Sequence, residues 1–265
     1  MRRAWLLCVP WIVLAACGES SVSETEVEIA ADAGPADGAD RPEPPPDAAD
    51  ASLRDAAASP ADSGPDAALV EAGAPAFDGT QGALPPAVRT RMTGSSWRQG
   101  CPVSLDGLAL LSVPHWGFDA AVHRGELVVA ASVAEATLGV FRALYDERFP
   151  IDKMRLVDEY DANDDRSMAD NNTSAFNCRR ITGGSSWSAH SYGTAIDLNP
   201  RQNPYVKGAT VLPPEGSAFL DRTDVRPGMA VEGSGPVRGF DALGWGWGGR
   251  WSSPKDYQHF SADNR

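Results

Sequence analysis

The stretch "SSWSAHSYGTAIDLNP", residues Ser185–Pro200, contains the pattern on which both the fold and the candidate chemistry of this chain depend. Its second half is typical of a β-strand, because apolar and polar side chains alternate with a period of two. Ile196 and Leu198 are then predicted to face the core, while Asp197 points to the opposite face. The stretch therefore predicts a core strand that presents a carboxylate.

A histidine lies seven residues before this carboxylate, a spacing that would place the two side chains on opposite faces of one straight strand. Gly193 lies between His190 and Asp197, and glycine permits a turn or bulge that returns the histidine over the aspartate. An imidazole from a loop and a carboxylate from a strand are typical zinc ligands. A catalytic zinc site needs three protein ligands and one open position, so we expect a third ligand.

The remaining histidines are His115, His123 and His259. His259 lies in "WGWGGRWSSPKDYQHFS", and Asp256 precedes it by three residues. One tight or helical turn can therefore direct both side chains into one site. This pair suits hydrolysis, because a carboxylate that does not bind the metal can take a proton from water and pass it to a leaving amine. No such context surrounds His115 and His123, which we expect to be core or surface residues.

The two motifs together resemble a known family. "SAHSYGTAID" followed by "KDYQHF" is similar to the zinc D-alanyl-D-alanine carboxypeptidases of the VanY type, whose superfamily includes lysostaphin and the sonic hedgehog domain. The resemblance extends from about Gly100 to Arg265 and includes "GCPV", "GELVV", "DDRSM" and "NTSAFNCRR". It implies that one Zn²⁺ is held by His190, Asp197 and His259.

The same resemblance implies two catalytic residues. Asp256 occupies the position of the general base. Many relatives have glutamate at this position, and the aspartate form "KDYQHF" also resembles a subgroup that cleaves within stem peptides. The family uses an arginine on the strand before the histidine to hold the substrate carbonyl. Arg179 in "FNCRR" is the better match and Arg180 is the alternative, since alternating side chains let only one face the cleft. Arg179 could instead pair with one of three acidic residues, Asp164, Asp165 or Asp170.

The activity implied by the resemblance is hydrolysis of peptidoglycan stem peptides, with D-alanyl-D-alanine carboxypeptidase as the leading hypothesis. Two alternatives remain open: an endopeptidase of the same fold, such as the L-alanyl-D-glutamate type, and a non-catalytic lipoprotein that binds the cell wall. We expect a monomer that does not bind nucleic acid. The net charge of −13 says nothing about the partners of the folded domain, because the acidic residues of the segment 18–86 account for it.

The first residues predict export and anchoring. Residues 1–17 resemble a bacterial lipoprotein signal, since two arginines precede an apolar run of about a dozen residues that ends in "LAAC". Cys17 would then carry the lipid, and the following glycine resembles outer-membrane sorting. We therefore expect a cell-envelope protein, lipid-anchored on the periplasmic side of the outer membrane. Residues 18–86 are rich in Ala, Asp and Pro, which predicts a disordered linker, and residues 87–265 are the predicted peptidase domain.

For the folded part we predict an α+β fold, with a single compact domain built from a central antiparallel sheet and flanking helices. Ser132 and Glu135 fit a capping box at the start of a helix, and Pro150 predicts that this helix ends near Phe149. Strands are expected at "ELVV", "DKMRLVDEY" and "SAFNCRRITG", with a loop at "DANDDRSMADNNTS". Residues 200–239 predict irregular structure with at most one short helix.

Two cysteines, Cys101 and Cys178, follow the predicted signal. Neither has the CxxC partner that is typical of a zinc–cysteine site. Because an exported compartment is oxidising, we predict a disulfide between them.

Overall fold

The structure of the protein is a computed structural model that describes residues 75–181 and 184–264. The predicted signal peptide, Cys17 and residues 18–74 of the predicted linker lie outside the described residues. The described residues belong to one compact unit and combine helices with antiparallel strands, so the predicted α+β class is confirmed. None of the helices in this part of the chain has the length and apolar character needed to cross a bilayer.

The secondary structure of the described residues consists of short elements. The α-helices are α1 Pro86–Met92, α2 Ala134–Asp146, α3 Asp164–Ala169 and α4 Gly235–Ala242. The strands are β1 Thr80–Ala83, β2 Leu108–Trp116, β3 Val122–Ala130, β4 Lys153–Met154, β5 Asn172–Thr173, β6 Ala195–Asp197, β7 Tyr205–Lys207, β8 Thr210–Leu212, β9 Gly246–Trp247, β10 Lys255–Asp256 and β11 His259–Ser261. The 3₁₀ helices are Leu105–Gly107, Ala131–Val133, Val157–Tyr160, Ala189–Tyr192, Pro214–Phe219 and Gly248–Arg250.

The strands do not form the single central sheet that the sequence predicts. They form three antiparallel sheets of three strands each, with the orders β1-β2-β3, β6-β11-β9 and β10-β7-β8, and β4 pairs with β5 in parallel. The long β2–β3 hairpin is paired from Leu108 opposite Ala130 to Trp116 opposite Val122. The other strands have only two to four residues, because turns interrupt the chain before a wider ladder can form.

The largest hydrophobic core lies among α2, α4, the β2–β3 hairpin and the β6–β11 pair. Helix α2 buries one face, on which Val140, Phe141 and Leu144 are each at most 4% exposed. Ile196 and Leu198 on and beside β6 are fully buried in the same core. The predicted alternation of the strand after Gly193 is therefore confirmed.

The ends of α2 differ from the prediction. Its N-cap is Val133 with no side-chain cap hydrogen bond, because residues 131–133 already form a 3₁₀ turn that leads from β3 into the helix. The predicted Ser132–Glu135 capping box is therefore wrong. The helix ends at Asp146, before the predicted position, because the chain turns through a left-handed residue, Arg148, with φ of 52°.

Three local predictions between residues 152 and 183 are also corrected. The predicted strand "DKMRLVDEY" is a strand only at β4 and then becomes a 3₁₀ helix. The predicted loop after it contains α3, which begins because the Asn163 side chain accepts a hydrogen bond from the Arg166 N–H at 2.9 Å and two acidic residues occupy the first turn. The described residues 174–181 of the predicted strand "SAFNCRRITG" are held by isolated bridges, of Ser174 with Asp197 and of Arg180 with Trp187, rather than by a regular ladder.

The folded region begins before the predicted boundary at residue 87. β1 pairs with β2, and the Tyr145 hydroxyl donates a hydrogen bond to the Pro75 carbonyl at 2.7 Å. Phe77 packs against the core and lies under the guanidinium of Arg142. Residues 75–86, which the sequence places in the linker, are therefore part of the fold, because Phe77 and the strand that follows it cover one side of α2 and β2.

The predicted disulfide between Cys101 and Cys178 is confirmed. It closes a loop with a sequence separation of 77 residues, and Cys178 also donates its N–H to the Ser96 carbonyl at 2.9 Å. Cross-linking a loop of this length restricts the unfolded chain, which stabilises the folded protein by about 2–5 kcal/mol.

Reduction of this disulfide is expected to lower the melting temperature by about 5–15 °C for a domain of this size. The measurement is thermal unfolding with and without a reductant. A Cys101→Ala/Cys178→Ala double variant should show the same lowered temperature and no response to the reductant. Equal melting temperatures of the oxidised and reduced wild type would contradict the assigned stabilisation.

Candidate active site

The pairing of β6 with β11 brings a carboxylate and an imidazole together. Asp197 lies directly opposite His259 in this antiparallel pair, and opposite residues place their side chains on the same face of a sheet. The His259 Nδ1 atom is 2.9 Å from Asp197 Oδ1. The neighbouring pair, Ile196 and Phe260, faces the core with both residues fully buried. The alternation of each strand therefore separates the core face from the face that carries the site.

A tight turn adds the second imidazole. His190 lies in the 3₁₀ helix Ala189–Tyr192, and the Ser188 hydroxyl caps this helix by accepting a hydrogen bond from the His190 N–H. Gly193 ends the helix with φ of 69°, and a Cβ there would lie 2.5 Å from the Ala130 nitrogen. The predicted turn at Gly193 is therefore confirmed, and it places His190 Nε2 at 3.1 Å from Asp197 Oδ2.

The other ring nitrogen of His190 is held by the protein. His190 Nδ1 lies 2.6 Å from the Ala175 carbonyl oxygen, a distance at which the nitrogen donates its proton to that acceptor. This hydrogen bond fixes the tautomer, so that the Nε2 lone pair points towards Asp197 and His259. A ligand histidine typically has such a partner on its outer nitrogen.

The three side chains fit a zinc ion. Zinc ligands at about 2.0–2.1 Å in a tetrahedral arrangement lie about 3.3 Å from one another. The distances here are 3.1 Å, 2.9 Å and, between His190 Nε2 and His259 Nδ1, 3.3 Å. Burial alone would raise the pKa of Asp197, but the facing imidazoles outweigh it and hold this pKa well below its usual range. The cluster therefore presents an ionised carboxylate and two imidazoles to one point.

No second group of three ligand side chains converges in residues 75–181 and 184–264. His115 and His123 lie opposite each other on β2 and β3 and stack at 5.8 Å between ring centroids. His123 is exposed and hydrogen-bonds to Asp119. Both histidines therefore lie outside the cluster, as the sequence predicts.

Asp256 lies beside the cluster without joining it. It ends β10, and Gly248 leaves room for it, since a Cβ on that glycine would lie 2.5 Å from the Asp256 carbonyl oxygen. The Asp256 Oδ1 atom is buried and has no hydrogen-bond partner. Burial raises the pKa of Asp256 to about 6, and the charges of His259, Asp197 and His190 also act on this pKa.

The Asp256→Asn variant is expected to stabilise the metal-free protein by about 1–3 kcal/mol at pH 7.5. The folded protein binds the Asp256 proton more tightly than the unfolded chain, whose pKa is near the ordinary 3.8. The ionised carboxylate therefore destabilises the fold above pH 6, and this effect disappears as the pH falls below about 4. Thermal unfolding of the chelator-treated wild type and variant at pH 7.5 and at pH 4 measures it. A stability gain of the variant over the wild type that is no larger at pH 7.5 than at pH 4 would contradict it.

The side chains of the two candidate arginines, Arg179 and Arg180, make different contacts. The Arg179 Nε atom forms an ion pair with Asp164, which is one of the pairings that the sequence leaves open. The Arg180 guanidinium lies 3.7 Å from the centroid of the Trp187 ring and donates to the Ser185 carbonyl. The Arg179 backbone is nevertheless tied to the His190 turn, because its carbonyl accepts from the Ser188 N–H and from the Ser191 hydroxyl. A catalytic role of Arg179 remains a prediction.

Residues 182–262 match the family model described as D-alanyl-D-alanine carboxypeptidase. The matched segment contains the three ligand candidates and Asp256, and it begins after Arg179. The resemblance to this peptidase family is therefore confirmed, on the segment that carries the site. No curated protein and no solved structure matches the chain significantly.

Proposed function

We propose that this protein is a zinc-dependent peptidase that hydrolyses peptidoglycan stem peptides as a D-alanyl-D-alanine carboxypeptidase. One observation carries the proposal: His190, Asp197 and His259 converge at zinc-ligand spacing, and Asp256, three residues before His259, has one buried carboxylate oxygen without a hydrogen-bond partner. The matched segment supports the peptidase class, and the base is in the position that the resemblance implies.

In this proposal His190 Nε2, His259 Nδ1 and the Asp197 carboxylate hold the zinc. Bound there, zinc supplies a Lewis acid that polarises a peptide carbonyl and makes water more acidic. The Asp256 carboxylate accepts the proton of the attacking water and later delivers it to the leaving amine. A carboxylate placed beside the attacking water can serve in both steps, since it accepts a proton in the first and returns it in the second.

The predicted anchor supports the choice of substrate. A lipid on Cys17 and a linker of this composition would hold the domain in the cell envelope, at a distance of about 45 Å or more from the membrane. Peptidoglycan is the peptide-bearing polymer of that compartment. We propose the periplasmic side of the outer membrane as the location.

The test is digestion of purified muropeptides by the purified full chain, with the products identified by mass. The expected product is the stem pentapeptide shortened by its terminal D-alanine, with no product after addition of a chelator. Cleavage between L-alanine and D-glutamate would replace the proposed specificity with an endopeptidase activity. Unchanged stem peptides with zinc bound would reject the enzyme and favour a wall-binding role.

A further inference from the structure

The β7–β10 pair places a tyrosine next to the proposed base. Tyr205 lies directly opposite Asp256 in this antiparallel pair. Directly opposite residues have side chains on the same face, with Cβ atoms about 4.5–5.5 Å apart. The Tyr257 N–H donates a hydrogen bond to the Pro204 carbonyl at 3.3 Å, and the Leu198 N–H donates one to the Gln258 carbonyl at 3.0 Å. The β7–β10 pair therefore follows directly on the β6–β11 pair that carries Asp197 and His259, and Tyr205 shares with Asp256 one face of the neighbouring pair.

The Tyr205 hydroxyl is available to a ligand. The residue is half-buried, and in the part of the chain that the structure describes no group hydrogen-bonds to this hydroxyl. Burial, followed by the nearby charge of Asp256, raises the pKa of Tyr205 above its usual value. The phenol therefore remains protonated at neutral pH and can donate a hydrogen bond.

Hydrolysis of a peptide bond is accelerated by such a donor, because the carbonyl oxygen gains negative charge as water attacks. Arg179, the residue predicted for this task, has its guanidinium engaged by Asp164. Tyr205 is a neutral donor beside the base, and substituting its hydroxyl would break no hydrogen bond within the described fold. The side chain thus combines a place opposite the proposed base with a donor that has no partner within the described residues.

We propose that Tyr205 is a catalytic residue whose hydroxyl donates a hydrogen bond to the scissile carbonyl oxygen as that oxygen becomes negatively charged. This inference rests on the proposed function, since it assigns a further residue to the same site. The hydrogen bond strengthens in the transition state, so the loss of the hydroxyl should affect kcat more than KM.

The first test is Tyr205→Phe, with kcat and KM measured on a stem peptide and with zinc content and melting temperature as controls. We expect kcat to fall on the order of 10²-fold, with KM, zinc content and melting temperature close to those of the wild type. The matched control is Tyr257→Phe. The Tyr257 ring packs beneath Arg222 and against Trp247, so this variant should retain the wild-type kcat.

The second test needs no turnover. A phosphinic dipeptide, whose tetrahedral phosphorus imitates the reacting carbon and whose two phosphorus oxygens imitate the oxygens on that carbon, is titrated calorimetrically into the zinc-loaded wild type and both variants. Tyr205→Phe should weaken its binding on the order of 10²-fold, and Tyr257→Phe should not change it. Equal binding by wild type and Tyr205→Phe, or no binding to the wild type, would overturn the role of Tyr205.

The two tests separate this inference from the proposed function. If the wild type cleaves stem peptides and Tyr205→Phe cleaves them equally fast, the role of Tyr205 is overturned and the function stands. If no stem peptide is cleaved but Tyr205→Phe selectively weakens binding of the phosphinic dipeptide, the role of Tyr205 is supported and the proposed substrate is rejected.

Discussion

Replacing Asp256 with alanine is expected to lower kcat on stem peptides by about 10²–10⁴-fold, the usual contribution of a positioned general acid–base group. Asp256 lies outside the triangle of ligand atoms, so the variant should still bind about one zinc per chain. KM should change little, because the carboxylate acts on the attacking water and on the leaving amine. The measurements are steady-state kinetics and metal analysis of the same preparation.

A surface carboxylate provides the matched control for this variant. Asp106 is 85% exposed and forms an ion pair with Arg89, so Asp106→Ala should retain both zinc and turnover. If Asp256→Ala lost zinc together with activity, Asp256 would be a ligand and its role as base would be wrong. If Asp256→Ala kept the wild-type kcat, no proton transfer would depend on it.

Replacing His190 with alanine is expected to remove zinc almost completely and to lower activity by more than about 10³-fold, because a zinc ion contributes several kcal/mol to the stability of the transition state. Two ligands would remain, and a catalytic zinc site needs three. The measurement is zinc content by elemental analysis after dialysis, with kcat/KM measured before and after zinc is added back.

The matched control for His190→Ala is the same substitution at His123. It is exposed on β3 and hydrogen-bonds to Asp119, so His123→Ala should keep the zinc content and activity of the wild type. A His190→Ala variant that retained stoichiometric zinc would show that the metal binds elsewhere. Equal loss of zinc in both variants would indicate a general effect on folding.

The candidate site could be predicted from the sequence because each part of it has a short-range signal. The alternation around Asp197 identifies a strand with one core face, and Gly193 identifies the turn that returns His190. The convergence of His259 is a long-range property, since it depends on the register between β6 and β11. The placement of His259 beside Asp197 was therefore predicted only through the resemblance to a family.

Several parts of the fold could not be predicted, for identifiable physical reasons. Helix α3 lies within "DANDDRSMADNNTS", a stretch rich in Asp and Asn that favours loops, and it forms because Asn163 caps it. The segment containing Tyr205 was predicted to be irregular, although "YVKGATVL" is a strand, a turn at Gly208 and a second strand. A ribbon of three residues per strand has too short a pattern to be distinguished from a loop, so the tyrosine beside the base was missed.

The most direct test of the central claim is anomalous diffraction at the zinc edge from crystals of the zinc-loaded protein. The account predicts a single strong peak about 2.0–2.2 Å from His190 Nε2, His259 Nδ1 and an Asp197 oxygen, with Asp256 close by and not bonded to the metal. A zinc peak at any other place, or no peak among these three side chains, would contradict the account.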